Sequence, residues 1–237
     1  MLKTVLFDLD DTLFDHKYAR LCALRALQDL HPVLQSVPLD ELEKEHEILL
    51  AAGYFSVLDK TISLYDSRLE RIRSLFRIYG VSLSGAETKY YAGYYNHVYE
   101  KNRQAVPGAK RFLESLKPPL IIGVVSNGLT EFQMEKIRLC EMEGLIDFTV
   151  FSEDVGVRKP NRRIFEIALE KAAASPEEAL FIGDAWPTDI VGANNCGIRS
   201  IWLNRYGLTC PDPKLAHEIH DFDSLENIIT PLFRHQI

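Results

Sequence analysis

The chain has little cysteine: the four it holds among 237 residues, Cys22, Cys140, Cys196 and Cys210, lie far apart with no CxxC pair. That spacing suits neither a disulfide framework nor a cysteine zinc site, and leaves the thiols as small apolar residues of a reducing compartment. Long apolar runs are missing too. None approaches the ~20 residues of a membrane span and no charged-then-apolar leader opens the sequence, so a cytoplasmic protein with no membrane partner is expected. Positive charge is short, with 27 Lys and Arg against 34 Asp and Glu for a net charge of −7, which argues against nucleic acid as the main partner. Arg158, Lys159, Arg162 and Arg163 form a small basic cluster that reads as anion steering plus solvated helix surface. Repeats and low-complexity tracts are absent. His217-Glu218-Ile219-His220 falls one residue short of the HExxH spacing of a zinc helix. What is present, 46% hydrophobic and 26% charged residues, suffices for one substantial core and a smaller second one.

The stretch with most chemistry is Val5-Leu6-Phe7-Asp8-Leu9-Asp10-Asp11-Thr12, a short apolar strand ending in carboxylates two residues apart. In an extended chain residues i and i+2 project to one side, so Asp8 and Asp10 would face one spot. Two carboxylates that close repel, and a shared proton or a metal ion must offset their charge. The plainer alternative is a capping turn, in which Asp11 and Thr12 accept bonds from the first N–H groups of a helix.

Three more strand ends follow the same plan. Leu120 to Val125 is an apolar run closed by Ser126-Asn127-Gly128 and followed by a helical pattern. Arg158-Lys159-Pro160 sits in a polar loop, with Pro160 suited to the first position of a helix through Ile164, Phe165, Ala168 and Leu169. Ala179 to Gly183 reads as a buried strand ending in Asp184, with Asp189 five residues on. Singly, Ser126 reads as a helix cap, Lys159 as a loop cation and Asp184 as a turn residue. Jointly they sit at or just beyond the carboxyl ends of strands, where open α/β sheets build their sites. Asn127 orients substrate or caps the next helix, and Asp189 holds a metal-bound water, orients Lys159 or merely opens a helix. The residues alone leave these open.

In their order these four motifs, Asp8-Leu9-Asp10-Asp11-Thr12, Ser126-Asn127, Lys159-Pro160 and Gly183-Asp184 with Asp189, make the chain resemble the haloacid dehalogenase superfamily of phosphohydrolases. The resemblance implies an α/β fold, a Rossmann-like doubly wound parallel sheet with an inserted α-helical cap. It implies that Asp8 attacks phosphorus and that Asp10 serves first as acid and then as base. It further implies Mg²⁺ held by the Asp8 carboxylate, the Asp10 backbone carbonyl and Asp184, with Ser126 and Lys159 holding the transferring phosphoryl group. The implied substrate is a small phosphate monoester, a nucleotide or sugar phosphate among the choices. A 2-haloacid dehalogenase and a phosphomutase are the alternatives on the same fold.

Spacing locates the insert. Ser126 to Lys159 is 33 residues and Lys159 to Asp184 is 25, each near one βα unit of roughly 30 residues, but Asp8 to Ser126 is 118. A core from residues 1–14 and 105–237 and a cap from 15–104 follow. Helices are expected from Tyr18 to Leu30, from Leu39 to Ala52, along the seam Leu58, Ile62, Tyr65, Leu69, Ile72, Phe76 and Tyr79 up to Gly80, and from Thr88 to Tyr99. The stripe Tyr90, Tyr91, Tyr94, Tyr95 and Tyr99 is expected to pack rather than to bind. Strands are expected over Phe148 to Phe151 and Ser200 to Leu203, and helices over Ala109 to Leu116 and Leu225 to Leu232.

Overall fold

A computed structural model describes residues 1–59 and 61–225. Six parallel strands form one sheet: β1 (Thr4–Phe7), β2 (Ile121–Ser126), β3 (Phe148–Phe151), β4 (Ala179–Gly183), β5 (Arg199–Leu203) and β6 (Ala216–Ile219), in the order β3-β2-β1-β4-β5-β6. Helices of eight residues or more among the described residues are α1 (His16–Leu30), α2 (Leu39–Leu58), α3 (Leu64–Ile78), α4 (Gly85–Lys101), α5 (Ala109–Leu116), α6 (Thr130–Leu139) and α7 (Arg162–Ala172). None of the described helices is long and apolar enough to cross a membrane. The chain divides into two compact units, one of Met1–Asp15 with the chain from Gln104 onward, the other of His16–Arg103.

In the sheet unit, every residue of β1 and β4 is buried, as expected of central parallel strands covered on both faces. The outer strands β3 and β6 keep part of their surface exposed. One face is sealed by α7, where Ile164 and Phe165 join Leu6, Val125, Val150 and Phe181, the two phenylalanine rings meeting edge-on at 5.4 Å. Elsewhere in the unit Phe112 of α5 packs against Phe7 at 6.2 Å and Phe222 at 5.4 Å. The chain leaves and re-enters this unit side by side: Asp15 N–H donates to the Gln104 carbonyl and Val106 N–H to that of Leu13, both at 2.9 Å.

The all-helical unit, α1 to α4, has its own core, with Leu24 and Leu27 of α1, Leu42 of α2, Ile72, Leu75 and Phe76 of α3 and Tyr95 of α4. Helix α4 opens with a capping box between Ser84 and Glu87. Two expectations need correction here. Helix α2 runs on past Ala52 to Leu58, and Ser63, accepting a bond from Asp66 N–H at 3.0 Å, starts α3 afresh at Leu64. The seam's Leu58 and Ile62 therefore lie outside α3; a side-chain cap resets the helix where apolar spacing alone reads straight through. The tyrosines of α4 do not share one fate: Tyr95 is buried and Tyr91 packs on Phe76 at 4.7 Å, while Tyr90 and Tyr94 are exposed.

Two corrections concern the sheet unit. Pro160 does not open α7; Asn161 caps it, its side chain accepting from Arg163 N–H at 2.9 Å. His217-Glu218-Ile219 forms β6 beside β5, with His217 opposite Ile201, so the near-HExxH run is an edge strand that the sequence reading missed. The helix expected over Leu225–Leu232 lies, beyond Leu225, outside the described residues.

Candidate active site

Strand register assembles the site. Phe7 of β1 lies opposite Val124 of β2 and Ile182 of β4, so the first residues past β1 and β4, Asp8 and Asp184, emerge at the same edge as Ser126, the last residue of β2. That edge carries the carboxyl ends of the strands, where the order reverses around β1. Past Asp8 the chain turns sharply instead of starting a helix: Leu13 and Phe14 N–H groups both donate to the Leu9 carbonyl, at 2.9 and 2.8 Å, and Asp11 takes a φ of +62°. The capping alternative is thereby overturned, because α1 does not begin until His16. Thr12, fully buried, donates instead to Asp184 Oδ1 at 3.3 Å.

Lys159 is the cation of the cluster. Only 3% exposed, it reaches Asp8 Oδ1 at 2.5 Å and Asp189 Oδ1 at 2.8 Å. Asn127 braces the loop that carries it, accepting from Lys159 N–H at 2.7 Å and donating to its carbonyl at 2.9 Å. Leu129, not Asn127, occupies the N-cap of α6. Asp189 reaches the cluster because β4 ends in glycine: a Cβ on Gly183 would lie 2.4 Å from Asp189 Oδ2. A tight turn over Trp186–Ile190 then folds Asp189 back, its carboxylate accepting from Ala185 N–H at 3.1 Å.

Charge in this cluster does not balance. Asp8, Asp184 and Asp189 each offer a carboxylate oxygen within 4.8 Å of the others, and one ammonium faces them. Burial pushes Asp8 up to about 7 against the pull of Lys159. Asp184 is held well above the usual carboxylate range by burial and then by Asp8 and Asp189. Burial opposes the charge on Lys159, yet Asp189 and Asp8 raise it above the ordinary lysine value. Carboxylate oxygens crowded this way, with neither histidine nor cysteine among them, fit a hard divalent cation that would supply the missing positive charge.

Asp10 departs from expectation. Its carboxylate does not join the three-acid cluster but turns to Lys136 Nζ, at 2.6 and 2.8 Å, and to Gln133 Nε2 at 3.0 Å. Asp8 and Asp10 do not share one side because the strand ends at Phe7 and the chain is already turning. Gln133, 2% exposed, also donates to Ser126 Oγ at 2.7 Å, so one amide ties the end of β2 to Asp10. Gly128 leaves it room, since a Cβ there would lie 2.6 Å from Gln133 Nε2. The sequence reading missed Gln133 and Lys136. Their signal was available: they stand three apart, on one face of the helix that follows Ser126.

This geometry has relatives. A family profile for haloacid dehalogenase-like hydrolases matches residues 2–197. Glyceraldehyde 3-phosphate phosphatase of Methanothermobacter thermautotrophicus is 32% identical over 217 residues, covering 86% of each protein. Among solved structures, the HAD-hydrolase YfnB of Bacillus subtilis, bound to magnesium, superposes with a TM-score of 0.73 at 25% identity, over 97% of this chain and 99% of that one. A 2-haloacid dehalogenase of Pseudomonas syringae pv. Tomato superposes at 0.61 with 28% identity, over 98% of this chain and 100% of that one. By its profile, its sheet and its relatives, the chain belongs to the haloacid dehalogenase-like hydrolases.

Proposed function

We propose that this hydrolase cleaves small phosphate monoesters through an aspartyl-phosphate on Asp8. The observation that carries the reading is the buried Asp8–Lys159 pair at 2.5 Å with Asp184 and Asp189 beside it, a nucleophile flanked by a cation and by acids in surplus. A phosphate ester is itself an anion, so a carboxylate can approach its phosphorus only where positive charge offsets the repulsion. The Asp8 and Asp184 carboxylates, with the Asp10 backbone carbonyl, would hold Mg²⁺, which when bound supplies much of that charge.

The chain's own groups do the rest. Asp8 Oδ attacks phosphorus and the ester P–O bond breaks, its electron pair leaving on the alcohol oxygen, which takes a proton from the Asp10 carboxyl. Asp10, now a carboxylate, accepts a proton from the water that attacks the phosphoryl-aspartate; the bond to Asp8 breaks and inorganic phosphate departs. Lys159 and Ser126 hold the phosphoryl oxygens, Asn127 keeps the Lys159 loop in place and Asp189 aims the ammonium. Gln133 and Lys136 fix where the Asp10 carboxylate points, which the distances of 3.0 and 2.6 Å support.

In this reading residues 1–14 and 105–237 are the catalytic core and 15–104 a cap that selects the ester, a nucleotide or sugar phosphate among the choices. Four cysteines with no disulfide between them support a cytoplasmic setting. The purified protein should release phosphate from p-nitrophenyl phosphate with Mg²⁺ and stop in EDTA. Halide release from 2-chloropropionate without metal would instead make it a dehalogenase. Phosphoryl transfer between sugar hydroxyls with no free phosphate would make it a mutase.

A further inference from the structure

The helical unit buries a second charged cluster, of opposite sign to the first. His46 of α2 is 1% exposed, and neither ring nitrogen has a hydrogen-bond partner among the described residues. Its ring stacks on Tyr95 of α4 at 5.2 Å, Tyr95 stacks on Tyr99 at 6.5 Å, and the Tyr99 hydroxyl meets His16 Nδ1 of α1 at 2.8 Å. Arg71 of α3 adds a guanidinium whose buried Nε has no hydrogen bond, and no carboxylate lies within ion-pair distance of Arg71 among the described residues. Arg20 of α1, 4% exposed, backs the cluster from its pairs with Glu43 at 3.0 Å and Glu47 at 2.5 Å.

A guanidinium does not escape burial by losing its proton, so an anion must come to it or its desolvation stands uncompensated. Burial holds Arg71 below the ordinary arginine value, with Tyr95 opposing. Burial, then Arg71, Arg20 and His16, hold His46 well below the ordinary imidazole value, so the ring is neutral and offers one N–H donor. The positive charge of Arg71 is felt at the His46 ring, and guanidinium and imidazole N–H donors brought to one ligand suit a planar or tetrahedral oxyanion. All of these groups come from α1 to α4.

We propose that the helical unit carries an oxyanion site in which Arg71 and His46, backed by Arg20, take a carboxylate or phosphate group. The ligand in view is a small oxyanion free in solution, and sulfate is the probe.

The test begins with the melting temperature of the full chain in EDTA, with low-millimolar sulfate against chloride of equal ionic strength. Sulfate should raise it by several degrees in the native protein and much less in Arg71→Met and in His46→Phe, which keeps the stack on Tyr95 but removes both nitrogens. If Arg71→Met does not fold, His46→Phe decides. Equal sulfate increments in the native protein and the folded variants would overturn the site.

Discussion

The two units bury charge in opposite surplus. At the edge of the sheet three carboxylates within 4.8 Å of one another face the ammonium of Lys159, whereas in the helical unit Arg71 has no carboxylate within ion-pair distance among the described residues and both ring nitrogens of His46 lack a hydrogen-bond partner there. Burial makes both arrangements costly in isolation, since a desolvated charge is tolerated when a partner of opposite sign is close. The difference shows how a small protein marks its ligands: a surplus of acids calls for a cation, a surplus of bases for an anion. The acid cluster is also the more tightly specified. Its members are placed by strand register and by Gly183, while the basic cluster is held by helix faces and ring stacking.

The comparison breaks first, and by the largest amount, at Asp8. Asp8→Asn keeps the shape but removes the nucleophile, and turnover should fall by at least on the order of 10⁴ with the melting transition retained. Residual activity within tenfold of native would remove Asp8 from the reaction. Lys159→Ala should cost kcat on the order of 10² to 10³, roughly 3 to 4 kcal/mol, because its charge faces the oxygens on which charge builds. A loop cation would leave kcat alone, so steady-state kinetics separates the two. Lys136→Met should cost about tenfold with an alkyl phosphate and less with p-nitrophenyl phosphate, since a good leaving group needs less help from Asp10. Equal losses on both esters would deny Lys136 its hold on that acid.

A smaller effect sharpens the contrast by its sign. The folded pKa values of Asp8, about 7, and of Asp184 lie above the ordinary 3.8, so without metal the folded protein holds extra protons in that window. Their contribution to stability is present below the ordinary carboxylate value and lost as pH rises through the folded values. His46 runs the other way. Its folded value lies well below 6.5, so its contribution is present above 6.5 and is lost as pH falls below that value. Melting temperatures in EDTA should therefore fall by a few degrees toward pH 7 in the native protein, and Mg²⁺ should remove the fall. His46→Phe should steepen that fall below pH 6.5, because it removes a contribution that grows as pH rises. Identical profiles with and without Mg²⁺ would argue against a metal at the acid cluster.

Much of the fold was legible because buried parallel strands announce themselves as short apolar runs, and the residues closing them, Asp8, Ser126 and Asp184, carry the chemistry at fixed offsets. Less legible was whatever depends on a turn. Asp10 swings toward Lys136 because the chain bends at once after β1, and Asp189 returns to Lys159 only through the tight turn after Gly183. β6 was hidden by its composition: an edge strand half in solvent, Ala-His-Glu-Ile, lacks the apolar run that marks β1 or β4. The Arg71–His46 cluster was hidden for another reason. Its members come from different helices, and no spacing along the chain brings α2, α3 and α4 together.

Passage of the phosphoryl group through Asp8 is tested by trapping the covalent intermediate. Asp10→Asn removes the group that activates water while leaving Asp8 and Lys159 in place, so p-nitrophenyl phosphate should still phosphorylate the protein. Incubation with Mg²⁺, acid quench, digestion and mass spectrometry should then find one phosphoryl group, on the peptide that carries Asp8 and on that residue. A phosphoryl group on any other side chain, or phosphate released with no covalent species at any time point, would contradict the account.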